Sequence, residues 1–173
     1  VYGYATGYRK GGSKDARPAY DDVIQGESGI VDLIDRTNGE ARFVPMPISD
    51  KFCGYVLASS IAMALYRRER TGVGQEVHVP MLETMASFLL SEHLAGHSLI
   101  PEEGGLGYDR LMTENRKPYE TKDGYLAILP YSTKHWIRFF EICGEEDWRT
   151  SAKVIDRVER SRNIDELYGK LAE

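Results

Sequence analysis

Apolar residues recur at spacings of three and four positions after Pro47, and this spacing predicts a helix of about five turns. The stripe consists of Phe52, Tyr55, Val56, Ser59, Ala62, Met63 and Tyr66. Pro45 and Pro47 hold the preceding segment extended, because each proline disfavours helical geometry in the residue before it. Arginines at the far end of the stripe suit the negative end of a helix.

A shorter and interrupted helical pattern comes before this stripe, from Ala19 to Ile34. Its apolar residues follow a helical period only in part, because Gly26 and Gly29 fall within it. The pattern predicts a helix that breaks near Gly29.

The next segments alternate between strand and helix. Residues 76–79 alternate polar and apolar and predict a short strand, and Pro80 is placed to open a helix from Met81 to about Leu94. Residues 96–117 show little periodicity and contain several glycines, which favours a linker or an active-site loop.

The pattern changes after this segment. Residues 119–121 and 125–129 flank Lys122-Asp123-Gly124, which predicts a β-hairpin. A helix is predicted from about Thr133 to Cys143 and is followed by Gly144. A last helix, capped by Ser161 or Asn163, should reach the end of the chain.

These elements predict an α/β chain with a domain boundary near residues 105–117. Because the chain begins at Val1 and its first residues resemble a strand end, we expect a piece of a longer protein.

Composition narrows the class of protein. The chain has 173 residues, 42% of them hydrophobic, with 22 basic and 27 acidic side chains and a net charge of -5, so nucleic acid is an unexpected partner. We find no uninterrupted apolar run near the roughly 20 residues that span a bilayer, and expect no membrane association. Cys53 and Cys143 have no partner at metal-ligand spacing, which favours two buried free thiols in a cytoplasmic protein.

Asp50 is the main candidate for chemistry. It falls in the first turn of the long helix, where the backbone dipole favours a negative charge, and an ionised carboxylate can attack an activated carbonyl. Position alone favours helix capping, since aspartate is among the commonest residues at helix starts.

Other candidates carry weaker signals. His93 and His97 lie four residues apart, but no glutamate lies between them and no third ligand follows, so we expect no metal site. Cys53 lies about one turn after Asp50 among apolar residues and is interpreted as a buried thiol. The glycines at 72 and 74 lie between a helix end and a strand, the reverse of the order in a dinucleotide site.

An ordered set of short motifs resembles the family III CoA-transferases, also called the carnitine CoA-transferase and bile-acid-inducible family. The set consists of Arg17-Pro18-Ala19-Tyr20-Asp21, Gln25, Ser28-Gly29, Asp50, the run from Ala64 to Gln75, Asn115 to Tyr119, and Asp123-Gly124-Tyr125. Together these motifs cover nearly the whole chain.

The resemblance implies a large nucleotide-type α/β domain, a smaller α+β domain and an interlocked homodimer of the full-length protein. It assigns residues 1–105 to the central part of the large domain, 106–117 to a linker, and 118–173 to part of the small α+β domain. The family's catalytic aspartate falls on Asp50, and the segment that lines the CoA site falls on residues 17–20, which implies binding roles for Arg17 and Tyr20. The implied substrates are an acyl-CoA and a carboxylic acid, and coenzyme A moves between them through an aspartyl anhydride and an aspartyl thioester.

Two departures from the family limit what the resemblance implies. A lysine that touches CoA in the family falls on Pro18, and the glycine-rich loop of formyl-CoA transferase has no clear counterpart, although Gly104-Gly105 resembles a shorter version. A formyl or oxalyl substrate is therefore not expected.

Two alternatives remain open. The related 2-methylacyl-CoA racemases carry a histidine where this chain has Tyr20, which favours the transferase because racemisation needs a second base. A noncatalytic interaction module is the other alternative. We expect no turnover from the 173-residue chain alone, because it lacks the family's N-terminal half.

Overall fold

A computed structural model describes residues 1–173, which divide into unit 1, Val1–Leu106, and unit 2, Gly107–Glu173. Helices hold 52% of the residues and strands are few, so the chain is a helix-dominated α/β protein.

Unit 1 contains two strands and four α-helices. They are β1 (Tyr2–Thr6), α1 (Asp21–Ser28), α2 (Ile30–Asn38), α3 (Ile48–Thr71), β2 (Glu76–Pro80) and α4 (Met81–His93), followed by a 3-10 turn at Ala95–Ser98. β1 and β2 are parallel, with Tyr2 opposite Glu76 and Thr6 opposite Pro80. Parallel pairing needs a crossover connection, which α1, α2 and α3 supply here.

The predicted break near Gly29 is confirmed. Gly29 has φ 101°, a conformation that residues with a side chain rarely adopt, and it separates α1 from α2. The long helix begins directly after Pro47 as predicted and is longer than expected, with 24 residues from Ile48 to Thr71. It ends at Gly72, whose N–H donates to the carbonyl of Arg68.

The core of unit 1 lies where α1, α3 and α4 pack around β2. Its buried residues are Tyr8, Ile24, Ile30, Cys53, Val79 and Met85. Glycine permits one close approach at its edge, because a Cβ on Gly7 would lie 2.1 Å from the Cβ of Ala19. That contact fixes the loop after β1 against the residue preceding Tyr20.

Much of α3 remains outside this core. Tyr55, Met63 and Tyr66 are 76%, 66% and 67% exposed. An 18-residue window of α3 has a mean hydropathy of 1.2 and is 17% buried, so by length and composition alone the helix could cross a membrane. The sequence prediction counted apolar runs, whereas α3 reaches this length with scattered serines and a glycine among its apolar residues. The expected absence of membrane association stays a prediction. Length and composition do not separate a membrane span from a core helix.

Unit 2 contains an antiparallel hairpin and five helices. They are β3 (Tyr119–Thr121), β4 (Gly124–Leu126), α5 (Thr133–Cys143), α6 (Glu146–Thr150), α7 (Ala152–Ile155), α8 (Arg157–Arg162) and α9 (Ile164–Gly169). The hairpin and α5 are confirmed, although β4 ends at Leu126, short of the predicted residue 129.

Aromatic residues dominate the core of unit 2. The buried cluster consists of Tyr119, Trp136, Phe140, Val154, Ile164, Leu167, Tyr168 and Leu171. Trp136 and Phe140 lie four residues apart on α5, so both face the same side of the helix. Ser132 caps α5, and His135 completes a reciprocal capping box with it.

Two local expectations in unit 2 need correction. Cys143 is exposed and not buried, because it is the last residue of α5 and the chain turns away at Gly144. Asn163 occupies the N-cap position of α9, but its side chain donates to the carbonyl of Glu159 and does not cap the helix.

Candidate active site

Asp50 lies in the first turn of α3 with its side chain exposed to solvent. Its backbone N–H donates to Oδ1 of Asp21 at 2.9 Å. The first N–H groups of a helix have no partner within the helix, so the Asp21 carboxylate performs the role of a capping group from another helix. This bond fixes the start of α3 while the carboxylate of Asp50 remains free to meet a ligand.

Gln25 holds the capping carboxylate in place. Its Nε2 donates to Oδ2 of Asp21 at 2.6 Å and to the carbonyl of Met46 at 3.3 Å. Its Oε1 accepts the N–H of Val44 at 2.8 Å. One buried amide therefore joins α1 to the extended segment before α3, and through Asp21 to Asp50.

This polar network is buried. Gln25 is fully buried and Asp21 is 8% exposed, so the hydrogen bonds between them are sheltered from water. Neither residue was predicted to have a role, although both belong to the motifs of the resemblance. The available signal was their spacing of four positions, which places two polar side chains on one face of α1.

Ser49 adds an unusual feature beside Asp50. It is fully buried, and its Oγ has no hydrogen-bond partner. Such a group costs free energy and is uncommon in folded proteins. The two neighbouring side chains therefore differ in exposure, since Ser49 is buried in the fold and Asp50 faces solvent.

Cys53 lies in the next turn of α3 and is fully buried. Burial, with a smaller effect of the nearby carboxylates of Asp50 and Asp21, raises the pKa of its thiol to about 11. Its Sγ donates to the carbonyl of Met81 at 3.8 Å. A thiol held neutral in this way is a poor nucleophile, which agrees with its interpretation as a structural residue.

Tyr20 and Arg17 lie in the segment before α1. Tyr20 holds the N-cap position of α1, directly before Asp21, and its side chain is 77% exposed. Arg17 is exposed in the preceding loop, where its charge helps lower the pKa of Glu27 after the larger effect of Lys14. Neither side chain hydrogen-bonds or ion-pairs with Asp50, and Tyr20 is linked to it only through its neighbour Asp21.

His93 and His97, the two histidines considered for metal binding, have different surroundings. His93 is the last residue of α4, and Nδ1 of His97 lies 3.0 Å from a carboxylate oxygen of Glu102. No group of three or more metal-ligating side chains converges in the chain.

Comparison with known proteins supplies the family context. The family model for CoA-transferase family III matches residues 1–173. A probable fatty acyl-CoA transferase of Mycobacterium tuberculosis is 28% identical over 99% of this chain and 46% of its own length. A succinyl-CoA:mesaconate CoA-transferase of Haloarcula marismortui is 26% identical over 92% of this chain and 40% of its own length.

Solved structures give the same relationship. A crystal structure of the Mycobacterium tuberculosis protein matches 97% of this chain with a TM-score of 0.74 and 27% identity. A CAIB/BAIF family protein of Brucella suis shares the fold with a TM-score of 0.66 at 22% identity. The chain spans less than half the length of each of these proteins. With its whole length matched by the family model, the chain belongs to CoA-transferase family III.

Proposed function

We propose that the protein transfers coenzyme A from an acyl-CoA donor to a carboxylic acid, with Asp50 as the nucleophile. The observation that carries the proposal is the exposed carboxylate of Asp50, fixed in the first turn of α3 by the hydrogen bond from its N–H to Asp21. Family membership supports the same reaction class.

The first half of the proposed reaction makes an enzyme thioester. A carboxylate oxygen of Asp50 attacks the carbonyl carbon of the donor thioester, the carbon–sulfur bond breaks, and CoA leaves as a thiolate. The thiolate then attacks the Asp50 carbonyl of the mixed anhydride. This releases the donor as a free carboxylate and leaves CoA bound to Asp50 as a thioester.

The second half repeats these steps with the acceptor. Its carboxylate attacks the Asp50 thioester and expels the thiolate, which then attacks the acceptor carbonyl of the new anhydride. The acceptor acquires CoA and Asp50 returns to its carboxylate form. No net electron is exchanged, so the cycle needs no redox cofactor.

The position of Asp50 suits these steps. The N-terminal end of α3 carries partial positive charge, which stabilises the carboxylate that attacks and is regenerated. Its exposure lets a thioester approach, and the buried Asp21–Gln25 pair keeps the backbone at this point from shifting.

Arg17 and Tyr20 are proposed to contact CoA. The exposed guanidinium of Arg17 suits a phosphate group, which it can bind with two parallel hydrogen bonds. The ring of Tyr20, 77% exposed, offers a face for stacking and a hydroxyl for hydrogen bonding.

The state of the whole protein is part of the proposal. Two protomers interlock as a homodimer in the cytoplasm, and the remainder of the fold covers the exposed apolar residues of α3, such as Tyr55 and Tyr66. Because the chain covers less than half of its relatives, the isolated 173 residues are expected to show no turnover.

The experiment compares Asp50→Asn with Asp22→Asn in the natural full-length protein. Asp22 is a matched control, because it is also an exposed aspartate in the first turn of a helix. Asp50→Asn should reduce transfer from an acyl-CoA to an acid by roughly ten-thousand-fold or more, as expected for loss of a nucleophile. Asp22→Asn should leave it near the wild-type rate. Full transfer by Asp50→Asn would disprove the proposal, and solvent deuterium uptake at the donor's alpha carbon without an acceptor would favour racemisation.

A further inference from the structure

Unit 2 contains a cavity of about 380 Å³ that the proposed transfer reaction does not use. Three arginines, Arg110, Arg157 and Arg160, line it together with hydroxyl-bearing residues near the start of α5, among them Ser132 and Thr133. No aspartate or glutamate belongs to the lining.

The three arginines of the cavity differ from three others in unit 2. Arg138, Arg149 and Arg162 each pair with a glutamate three positions away on their own helix. Arg110, Arg157 and Arg160 form no ion pair with any carboxylate of the chain. Three of the four arginines of unit 2 that form no ion pair therefore line the cavity, and the fourth is Arg116.

Neutral groups hold two of these side chains in position. Nη1 of Arg160 donates to Oγ1 of Thr133 at 2.8 Å and to the carbonyl of Val154. The Arg110 guanidinium lies 4.5 Å from the ring centroid of Tyr131 and donates to the hydroxyl of Tyr168. Arg157 is exposed and makes no side-chain hydrogen bond, so all of its donors are available.

The arrangement brings like charges together. Burial lowers the pKa of Arg160, and the charges of Arg110 and Arg157 lower it further, against a smaller opposing effect of Asp156. The Asp156 carboxylate is engaged elsewhere, because it accepts the N–H groups of Val158 and Glu159 at the start of α8. Repulsion between the three cations is therefore offset only in part by an anion of the chain.

We propose that this cavity binds a small molecule through a phosphate group. Guanidinium groups match phosphate geometry with paired hydrogen bonds, and a doubly or triply charged phosphate balances more of three cations than a single carboxylate does. The volume falls within the range of small-molecule sites and exceeds what one phosphate group fills. The site lies wholly within unit 2 and does not depend on Asp50.

The start of α5 adds donors to this site. The side chain of Ser132 accepts the N–H of His135, which leaves the N–H groups of Thr133 and Lys134 without an acceptor inside the helix. These groups and the helix dipole favour an anion at the same wall of the cavity as Thr133. The arginines supply the positive charge, and the N–H groups at the start of α5 supply additional hydrogen-bond donors.

The test is calorimetric titration of the protein with pyrophosphate, adenosine monophosphate and succinate at fixed ionic strength. The informative variant is Arg157→Gln, because its exposed side chain supports no contact within the fold. Arg162→Gln is the matched control on the same helix, since Arg162 pairs with Glu159 and does not line the cavity. Circular dichroism melting confirms that each variant remains folded.

The proposal predicts that pyrophosphate binds the wild type and that Arg157→Gln weakens binding by about tenfold or more. Arg162→Gln should bind as the wild type does. Tighter binding of adenosine monophosphate would identify a phosphorylated nucleoside as the source of the phosphate, and tighter binding of pyrophosphate an inorganic one. Absence of phosphate binding, preference for succinate, or equal loss in both arginine variants would overturn it.

Discussion

The two units bury their apolar residues to different extents. Unit 2, with 67 of the residues, holds a single cluster of eight buried residues, half of them aromatic. Unit 1 is larger, but its cluster has six, and α3 leaves Tyr55, Met63 and Tyr66 mostly exposed. Unit 2 therefore completes a core from its own residues, whereas unit 1 presents an apolar helix face that its own residues leave open.

The two units also differ in the interactions that fix the positions of their helices. Unit 2 is defined by packing around Trp136, which contacts Phe140 and Tyr168 in the core. In unit 1 the position of α3 is defined by a buried polar network, in which Asp21 and Gln25 connect α1 to Asp50. Packing tolerates some change of shape, while a buried hydrogen-bond network fails when one partner is removed.

The largest effect should come from Trp136→Ala. The side chain is 1% exposed, so its removal leaves a large cavity and should lower the free energy of unfolding of unit 2 by about 3–5 kcal/mol. Chemical denaturation followed by circular dichroism measures the change. Ile142→Ala is the control on the same helix, since Ile142 is 70% exposed and its loss should cost no more than about 0.5 kcal/mol. Equal costs would show that unit 2 does not depend on this core.

Gln25→Leu tests the polar network of unit 1 in the same way. Leucine is similar in size but leaves the Asp21 carboxylate and the N–H of Val44 without their partner, which should cost about 2–4 kcal/mol. Asp22→Asn, on the exposed side of α1, should cost little. A neutral result for Gln25→Leu would mean that packing, and not hydrogen bonding, positions the start of α3.

A smaller effect is expected at the joint between α1 and α2. Gly29→Ala should destabilise unit 1 by about 1–2 kcal/mol, because φ of 101° strains any residue with a Cβ although the space there is open. Gly26→Ala, inside α1 and also in open space, should instead stabilise by about 0.5–1 kcal/mol. Thermal melts distinguish the two, and a change of the same sign in both would contradict the backbone account.

The reactivities of the two cysteines should differ between the units. Cys143 of unit 2 is exposed and should react with an alkylating reagent at neutral pH, while Cys53 of unit 1 should not. Mass spectrometry of the labelled peptides gives the ratio, and rapid labelling of Cys53 would show that the core of unit 1 opens.

Cys53 also predicts a dependence on pH. Its pKa rises from 9.0 to about 11 on folding, so between these values the unfolded chain loses a proton that the folded chain keeps. Stability should therefore fall as pH increases through this range, by up to about 1.4 kcal/mol per pH unit. Cys53→Ala should remove that part of the slope.

Local signals in the sequence predict many elements correctly. Pro47 sets the start of α3, Gly29 separates α1 from α2, and Asp123-Gly124 marks the hairpin, because each acts on its immediate neighbours. Contacts between residues far apart in the sequence are harder to predict. The pairing of β1 with β2 joins Tyr2 to Glu76, and no feature near either strand specifies the other.

In the candidate site, too, local features could be predicted from the sequence and long-range contacts could not. Asp50 is identifiable from its place at a helix start, but its capping by Asp21 is a contact across 29 positions and required the fold. The short helices α6, α7 and α8 lack a clear period, and the cavity that α8 helps to line was not predicted. Arg110 and Arg157 reach that cavity from distant segments, so their convergence has no signal in the order of the residues.

Trapping the enzyme thioester or anhydride in the natural full-length protein tests directly whether Asp50 is the nucleophile. The protein is incubated with a donor acyl-CoA, hydroxylamine is added, and the peptides are mapped by mass spectrometry. The account predicts a hydroxamate on Asp50, because its activated carbonyl is the group that hydroxylamine attacks. Transfer that proceeds without modification of Asp50, or with the hydroxamate on another residue, would contradict it.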